Sequence, residues 1–190
     1  MTEKEKQNVL NETQSLVKLR SEFVIQYYYS WIDENDNCLN IQMELCSDNL
    51  INVLETKKSL FNETTITEIC ISCHIFYELT ECVQYLHENH IIHRDLKPDN
   101  VLISIGCRIK LCDFGLAKEV DSLDWFRMSK AKHTADVGTV DYMAPEVNSY
   151  PIEYNHLIDI YSLSLIGAQI FGFDTCGWHE EYTRDGKYVY

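Results

Sequence analysis

The sequence predicts an α+β fold, and three observations carry that prediction. A β-branched and aromatic run at residues 23–32 is followed by an acidic turn and a second such run at 38–45; a helical apolar periodicity extends over 66–89; and residues 157–173 are almost uninterruptedly apolar. Hydrophobic residues make up 45% of the 190-residue chain and charged residues 24%, with only 7 Gly and 3 Pro, a balance that suits one packed core rather than a disordered segment.

Taken in order, residues 3–20 mix helix formers with Val9, Leu10, Leu16 and Val17 at turn spacing, which predicts an amphipathic helix. The two aromatic runs form a hairpin across the turn at 33–37. Asp48 and Asn49 can cap a short helix beginning near Leu50, and Thr64 or Thr65 a long one over 66–89. On that long helix Ile69, Cys73, Phe76, Thr80, Val83 and Leu86 recur at intervals of three and four and define the buried face. Short strands at 101–103 and 109–112 flank a turn at Gly106, and residues 118–137 are polar enough to read as a mobile loop. The stretch 157–173 is interrupted by Asp159 and Gln169 and falls short of the roughly 20 residues a membrane span needs, so it reads as a buried central helix.

Sixteen Lys and Arg against thirty Asp and Glu give a net charge of -14, which excludes a broad surface for nucleic acid or anionic membrane, since both require clustered positive charge. The 8 cysteines are scattered, and Cys70, Cys73, Cys82 and Cys112 stand inside apolar runs, where a free thiol behaves as a small hydrophobe in a reducing compartment. Cys70, Cys73 and His74 hint at a metal site, but no second pair follows at zinc-finger distance, and Cys73 reads as core. The charged start of the chain lacks an apolar signal region, so an intracellular protein is expected.

Three short motifs then carry chemistry: His93-Arg94-Asp95-Leu96-Lys97-Pro98-Asp99-Asn100, Asp113-Phe114-Gly115 and Ala144-Pro145-Glu146. In this order and at these separations they resemble the catalytic loop, DFG and APE motifs of the eukaryotic protein kinases. The resemblance implies that Asp95 accepts and orients the substrate hydroxyl, that Lys97 lies against the transferred phosphate, and that Asn100 and Asp113 hold Mg²⁺, a hard cation that prefers oxygen ligands. ATP is the implied donor, set against a hinge at Met43, Glu44 and Cys46, with Lys97, Asn100, Leu102 and Asp113 also on the nucleotide. His93 and Phe114 read as packing residues. Lys97 together with Gly138-Thr139 resembles the serine/threonine type, in which the equivalent of Thr139 bonds the catalytic carboxylate and lysine. Thr134, with Ser129 as the alternative, occupies the place of an activating phosphate, which Arg94 and Lys118 would receive.

Within that family, Ser30-Trp31-Ile32-Asp33, the run Ile41-Gln42-Met43-Glu44-Leu45-Cys46 and His133-Thr134 followed by Val137-Gly138-Thr139 are similar to the kinases of eukaryotic initiation factor 2 alpha. That branch implies a cytoplasmic enzyme with the initiation factor as protein substrate and a homodimer in the full-length protein. The inhibitory cell-cycle kinases share parts of the pattern. Neither a Gly-rich loop nor a V-A-I-K lysine precedes Glu12, which stands where helix C presents its glutamate. The expectation is therefore a truncated kinase-like fold, with residues 1–46 a remnant of the N-lobe (helix C and two strands) and 47–190 a mostly helical, incomplete C-lobe ending near helix F. Such a segment alone should be a weak catalyst, and an interaction module is the alternative reading.

Overall fold

The computed structural model describes residues 21–33, 38–61, 65–114, 116–120, 129–130, 140–148 and 153–175. A hairpin opens it, with β1 (Tyr27–Asp33) antiparallel to β2 (Cys38–Met43). A short strand β3 (Cys46–Asn49) then leads into α1 (Leu50–Leu60), and α2 (Ile66–Glu88) follows. After α2 come β4 (Ile91–Ile92), a 3-10 turn at Pro98–Asn100, β5 (Val101–Ser104), β6 (Ile109–Leu111), β7 (Lys118–Glu119) and β8 (Ser129–Lys130). Two further 3-10 turns (Val140–Tyr142 and Pro145–Asn148), β9 (Glu153–Tyr154) and α3 (Leu157–Ile170) complete the described elements.

The first expected strand starts later than its composition suggests. Phe23 to Ile25 do not extend the hairpin; Val24 bridges Leu111 in parallel, with the Leu111 amide donating to Phe23 O at 3.0 Å and the Ile25 amide to Leu111 O at 2.9 Å. Val24 is thereby 1% exposed and part of the core. β3 was not expected as a strand, because Ser47, Asp48 and Asn49 favour turns; it forms through pairing with β5, in the sheet order β3-β5-β6.

Both helix starts follow from capping chemistry. Asn49 Oδ1 accepts the Asn52 amide at 3.0 Å at the head of α1, and Thr65 Oγ1 accepts the Glu68 amide at 3.1 Å at the head of α2. α3 ends in a Schellman motif: Gly172 takes φ 80, its amide donates to Gln169 O at 3.0 Å, and the Phe173 amide reaches Ala168 O at 2.9 Å.

The buried face of α2 needs correction. Phe76, Val83 and Leu86 lie on it, with Thr80 at its margin, but Ile69 and Cys73 are exposed, and the fully covered positions are Ser72, Ile75, Glu78, Leu79, Cys82, Val83 and Leu86. The face is rotated because the early turns of α2 meet α1 and the end of α3 through a polar knot rather than an apolar seam: buried Lys57 donates to Ser72 Oγ at 2.8 Å and to Ile170 O at 2.6 Å, and pairs with Glu68 at 2.8 Å. Cys70 is exposed with Cys73, so of the cysteines read as core only Cys82 is buried and Cys112 partly so.

The main core joins Leu50 of α1, Leu79, Val83 and Leu86 of α2, Val101 and Leu111 of the sheet, and Ile166 and Ile170 of α3. A smaller cluster under the loop 140–148 joins Ile92, Val120, Ala144 and Ile158. Within the stretch expected to be a loop, Lys118 and Glu119 instead pair with Ile92 and Ile91, and Ser129 and Lys130 with Tyr154 and Glu153. Among the described residues no helix is long and apolar enough to cross a membrane.

Candidate active site

The site is built on the segment from β4 to the Pro98–Asn100 turn, and α3 holds it from below. Asp159 is 1% exposed, and a buried carboxylate is tolerated only where its acceptor positions are filled. Here Oδ2 accepts the His93 amide at 2.8 Å and His87 Nε2 at 2.9 Å, while Oδ1 accepts the Arg94 amide at 2.9 Å. That hold falls where the backbone is strained: Arg94 has φ 69, in a region that side-chain-bearing residues seldom occupy.

His93 ties the segment to the strand that delivers Asp113. Its Nε2 lies 3.0 Å from Cys112 O and therefore carries the hydrogen, which leaves Nδ1 to accept the Asp95 amide at 3.4 Å. The ring packs on Phe114 at 5.2 Å between centroids, as expected of two packing residues. The Cys112 amide donates to Asn100 O at 3.0 Å, so the backbone of Cys112, next to Asp113, is held at both its amide and its carbonyl. Asp113 itself takes φ 58, which a short polar side chain accommodates better than most.

On this frame three predicted residues converge. Lys97 Nζ donates to Asp95 Oδ2 at 2.9 Å, and Asn100 Nδ2 donates to Asp95 O at 2.8 Å and to Asp95 Oδ2 at 3.2 Å. Burial opposes the Lys97 charge, but the hydrogen bond to Asp95 and the negative charges of Asp95, Asp99 and Asp113 outweigh it and hold the ammonium above its usual range. Asn100 spends its amide nitrogen on Asp95, which leaves its Oδ1 as an oxygen donor. Among the described residues no group of three or more His, Cys, Asp or Glu could hold a metal. Two protein oxygens suit Mg²⁺, which keeps waters and phosphate oxygens as its remaining ligands.

The remaining predicted positions are distributed as follows. Met43 ends β2 and is 45% exposed, Cys46 opens β3 partly buried, and Leu102 lies in the middle strand of the sheet between Asn49 and Lys110. The Glu44 side chain is turned to Lys110 Nζ at 2.8 Å and its amide to Gln26 O at 2.7 Å, so neither is turned to a ligand. Arg94 Nε donates to Leu116 O, and Lys118 pairs in β7. Glu12, Thr134 and Thr139 lie outside the described residues. The Cys112 thiol is pushed up to about 12, first by burial and then by the Asp113 charge, which makes it inert beside the carboxylates.

Asp159 is the functional position that sequence reasoning missed. It registered only as an interruption of an apolar helix, although a lone carboxylate inside such a helix is itself a signal of a buried polar partner. The anchoring of the APE segment was missed too: Ser162 Oγ donates to Tyr142 O at 2.7 Å, and Tyr142 OH to Gln169 Oε1 at 2.9 Å.

Comparison with known proteins agrees with this geometry. A family model described as protein kinase domain matches residues 1–186. Eukaryotic translation initiation factor 2-alpha kinase 3 of Bos taurus is 37% identical over 135 residues, 67% of this chain and 12% of that protein. Probable serine/threonine-protein kinase nek2 of Dictyostelium discoideum is 34% identical over 190 residues, 98% of this chain and 42% of the relative. The interferon-induced, double-stranded RNA-activated protein kinase of Rattus norvegicus is 30% identical over 176 residues, 84% of this chain and 32% of the relative. The chain thus spans less than half the length of each of these relatives.

Proposed function

Because the chain belongs to the protein kinase family, we propose that it transfers the γ-phosphate of ATP to a serine or threonine hydroxyl of a protein, with eukaryotic initiation factor 2 alpha as the substrate. The observation that carries this reading is the shared carboxylate oxygen of Asp95, which Lys97 approaches at 2.9 Å and Asn100 at 3.2 Å. A carboxylate held by two donors is aimed, and it can accept the proton of an incoming hydroxyl. Lys97 places a positive charge beside the point where phosphate oxygens would gather charge, and its pairing with Asp95 holds that charge in place against the cost of burial. Asn100 and Asp113 would hold Mg²⁺, which when bound neutralises charge on the phosphate oxygens. Asp159 contributes by holding the His93 and Arg94 amides, so that the loop needs no rearrangement when substrate arrives.

The choice of substrate rests on the resemblance of residues 30–33, 41–46 and 133–139 and on a relative named as an initiation factor 2-alpha kinase. A cytoplasmic location and a homodimer of the full protein follow from the same reading. The test is phosphate incorporation from labelled ATP into the initiation factor and into a generic protein substrate, with Asp95→Ala and Asp113→Asn in parallel. Asp95→Ala should lower the rate about 10²-fold or more, and Asp113→Asn should remove the Mg²⁺ dependence of nucleotide binding. No Asp95-dependent transfer to either substrate, together with no Mg²⁺-dependent nucleotide binding, overturns the reading; transfer to the generic substrate alone overturns the choice of substrate.

A further inference from the structure

A charge sits at each end of the helix that holds the catalytic loop. Asp159 stands in the first turn of α3, where its oxygens take the His93 and Arg94 amides and His87. Ile170 ends the same helix, about 16 Å farther along the axis. At that end the last carbonyls have no partner within the helix, and the backbone dipole turns its negative pole outward. Ile170 is fully buried, and its carbonyl is met by two donors, Lys57 Nζ of α1 at 2.6 Å and Ser72 Oγ of α2 at 3.0 Å. Lys57 Nζ also donates to Ser72 Oγ at 2.8 Å and pairs with Glu68 at 2.8 Å, so the three hydrogens of the ammonium each have an acceptor. The end of α3 is thereby tied to both α1 and α2.

Stability alone does not account for a lysine in this place. Lys57 is 7% exposed, and taking an ammonium this far from water costs about as much as its partners return; apolar side chains of similar volume often do as well or better. An apolar residue can fill the space, but it cannot meet the Ile170 carbonyl or oppose the helix dipole. The apolar contacts of α3, through Ile158, Leu163, Leu165 and Ile166, are non-directional, so its depth along the axis is left to polar contacts. Those are Asp159 in the first turn, Ser162 and Gln169 on Tyr142, and Lys57 at the last carbonyl.

We propose that Lys57 is a positioning residue: by fixing the C-terminal end of α3, it sets where Asp159, at the opposite end, presents its oxygens to the His93 and Arg94 amides. The effect on phosphate transfer rests on the kinase reading above; the mechanical link from Lys57 to Asp159 does not.

Amide exchange measured by NMR on the full chain tests the link, in Lys57→Met and in Lys57→Met combined with Glu68→Met. The single change leaves Glu68 without its lysine and should lower the melting temperature as well. The double change removes both charges, which should restore most of that stability, but it does not restore the donor to Ile170 O. Exchange at His93 and Arg94 should be about tenfold faster in both variants, the scale of one charge-assisted hydrogen bond, while Leu79, Val83 and Leu86 of α2 stay protected. Exchange at His93 and Arg94 equal to wild type in the double variant overturns the link, as does faster exchange at Leu79, Val83 and Leu86, which marks a general role in folding. Initial rates of phosphate transfer from labelled ATP to a generic protein substrate test the consequence. The double variant should lower kcat about tenfold and leave KM for ATP unchanged, because the loop carrying Asp95 shifts while the hinge and sheet do not. Faster exchange with unaltered kcat overturns that consequence. A wild-type chain that transfers no phosphate removes the kinase reading and the consequence with it, and exchange alone then decides the link.

Discussion

Asp159 reaches from α3 to the Arg94 amide, 2.9 Å away, at the residue whose backbone is strained to φ 69. The strain and the hydrogen bond belong together: an unfavourable conformation persists only where its surroundings over-determine it. Asp159→Asn puts an amide NH₂ where one of three donors now points, since His93 and His87 share the other oxygen. Breaking a buried, fully satisfied carboxylate of this kind costs about 3 kcal/mol, which for a chain of this size lowers the melting temperature by roughly 6 to 12 °C. Thermal unfolding checks the size of the loss. Exchange at His93 and Arg94 checks its place, and protection there equal to wild type would remove Asp159 from its role as anchor.

Much of the frame was legible because it is local. The caps at Asn49 and Thr65, the strands around Gly106 and the apolar helix after Leu157 are dictated by residues within a few positions of one another, and the structure places them where the pattern does. What escaped depends on distant partners. β3 is a strand because β5 lies beside it, the tract at 23–25 leaves the hairpin because Leu111 receives it, and Cys73 is exposed because Lys57 and Glu68 organise the early turns of α2.

The site divides in the same way. Asp95, Lys97 and Asn100 lie within one turn of chain, so a motif can specify their mutual geometry, and they do converge. Asp159 and Lys110 act across long sequence separations on backbone amides and on a carboxylate whose partners no periodicity reveals. Glu44 illustrates the cost: it was read as a hinge residue, a role that calls on its backbone, and nothing in the sequence pattern reveals that its side chain pairs with Lys110.

Gly167 on α3 faces Phe76 of α2, and a Cβ added there would lie 2.7 Å from Phe76 Cε2 and 3.2 Å from both Cδ2 and Cζ. The ring cannot easily retreat, because it is partly buried and packs edge-on against Phe171 at 6.0 Å. Alanine gains about 1 kcal/mol of helix propensity over glycine, yet overpacking of this severity costs about 1 to 3 kcal/mol. Gly167→Ala should therefore destabilise by about 1 kcal/mol in denaturant titration, and Phe76→Leu in the same chain should recover part of the loss. A stabilised Gly167→Ala protein would show that the helices can separate without penalty.

The cysteines offer a test of the electrostatics that needs no activity. Cys82 and Cys112 are both pushed up to about 12, each chiefly by burial, with Glu78 adding to the first and Asp113 to the second. Thiolate, not thiol, attacks an alkylating reagent, and its fraction falls tenfold for each unit by which the pKa exceeds the pH. Against an ordinary thiol at 9.0, that places Cys82 and Cys112 about three orders of magnitude behind at pH 8, whereas Cys38, Cys70, Cys73 and Cys107 are exposed and should react first. Iodoacetamide labelling read by peptide mass spectrometry should show this order, with labelling at Cys112 climbing as pH rises toward the limit of the folded state. Asp113→Asn removes the neighbouring charge but not the burial, and burial is the larger cause; it should speed Cys112 labelling only modestly and leave Cys82 unchanged. Cys112 labelled at pH 8 as fast as Cys38 would mean that the peptide between His93 and Asp113 is open to solvent, and the fixed geometry of Asp113 would fall with it.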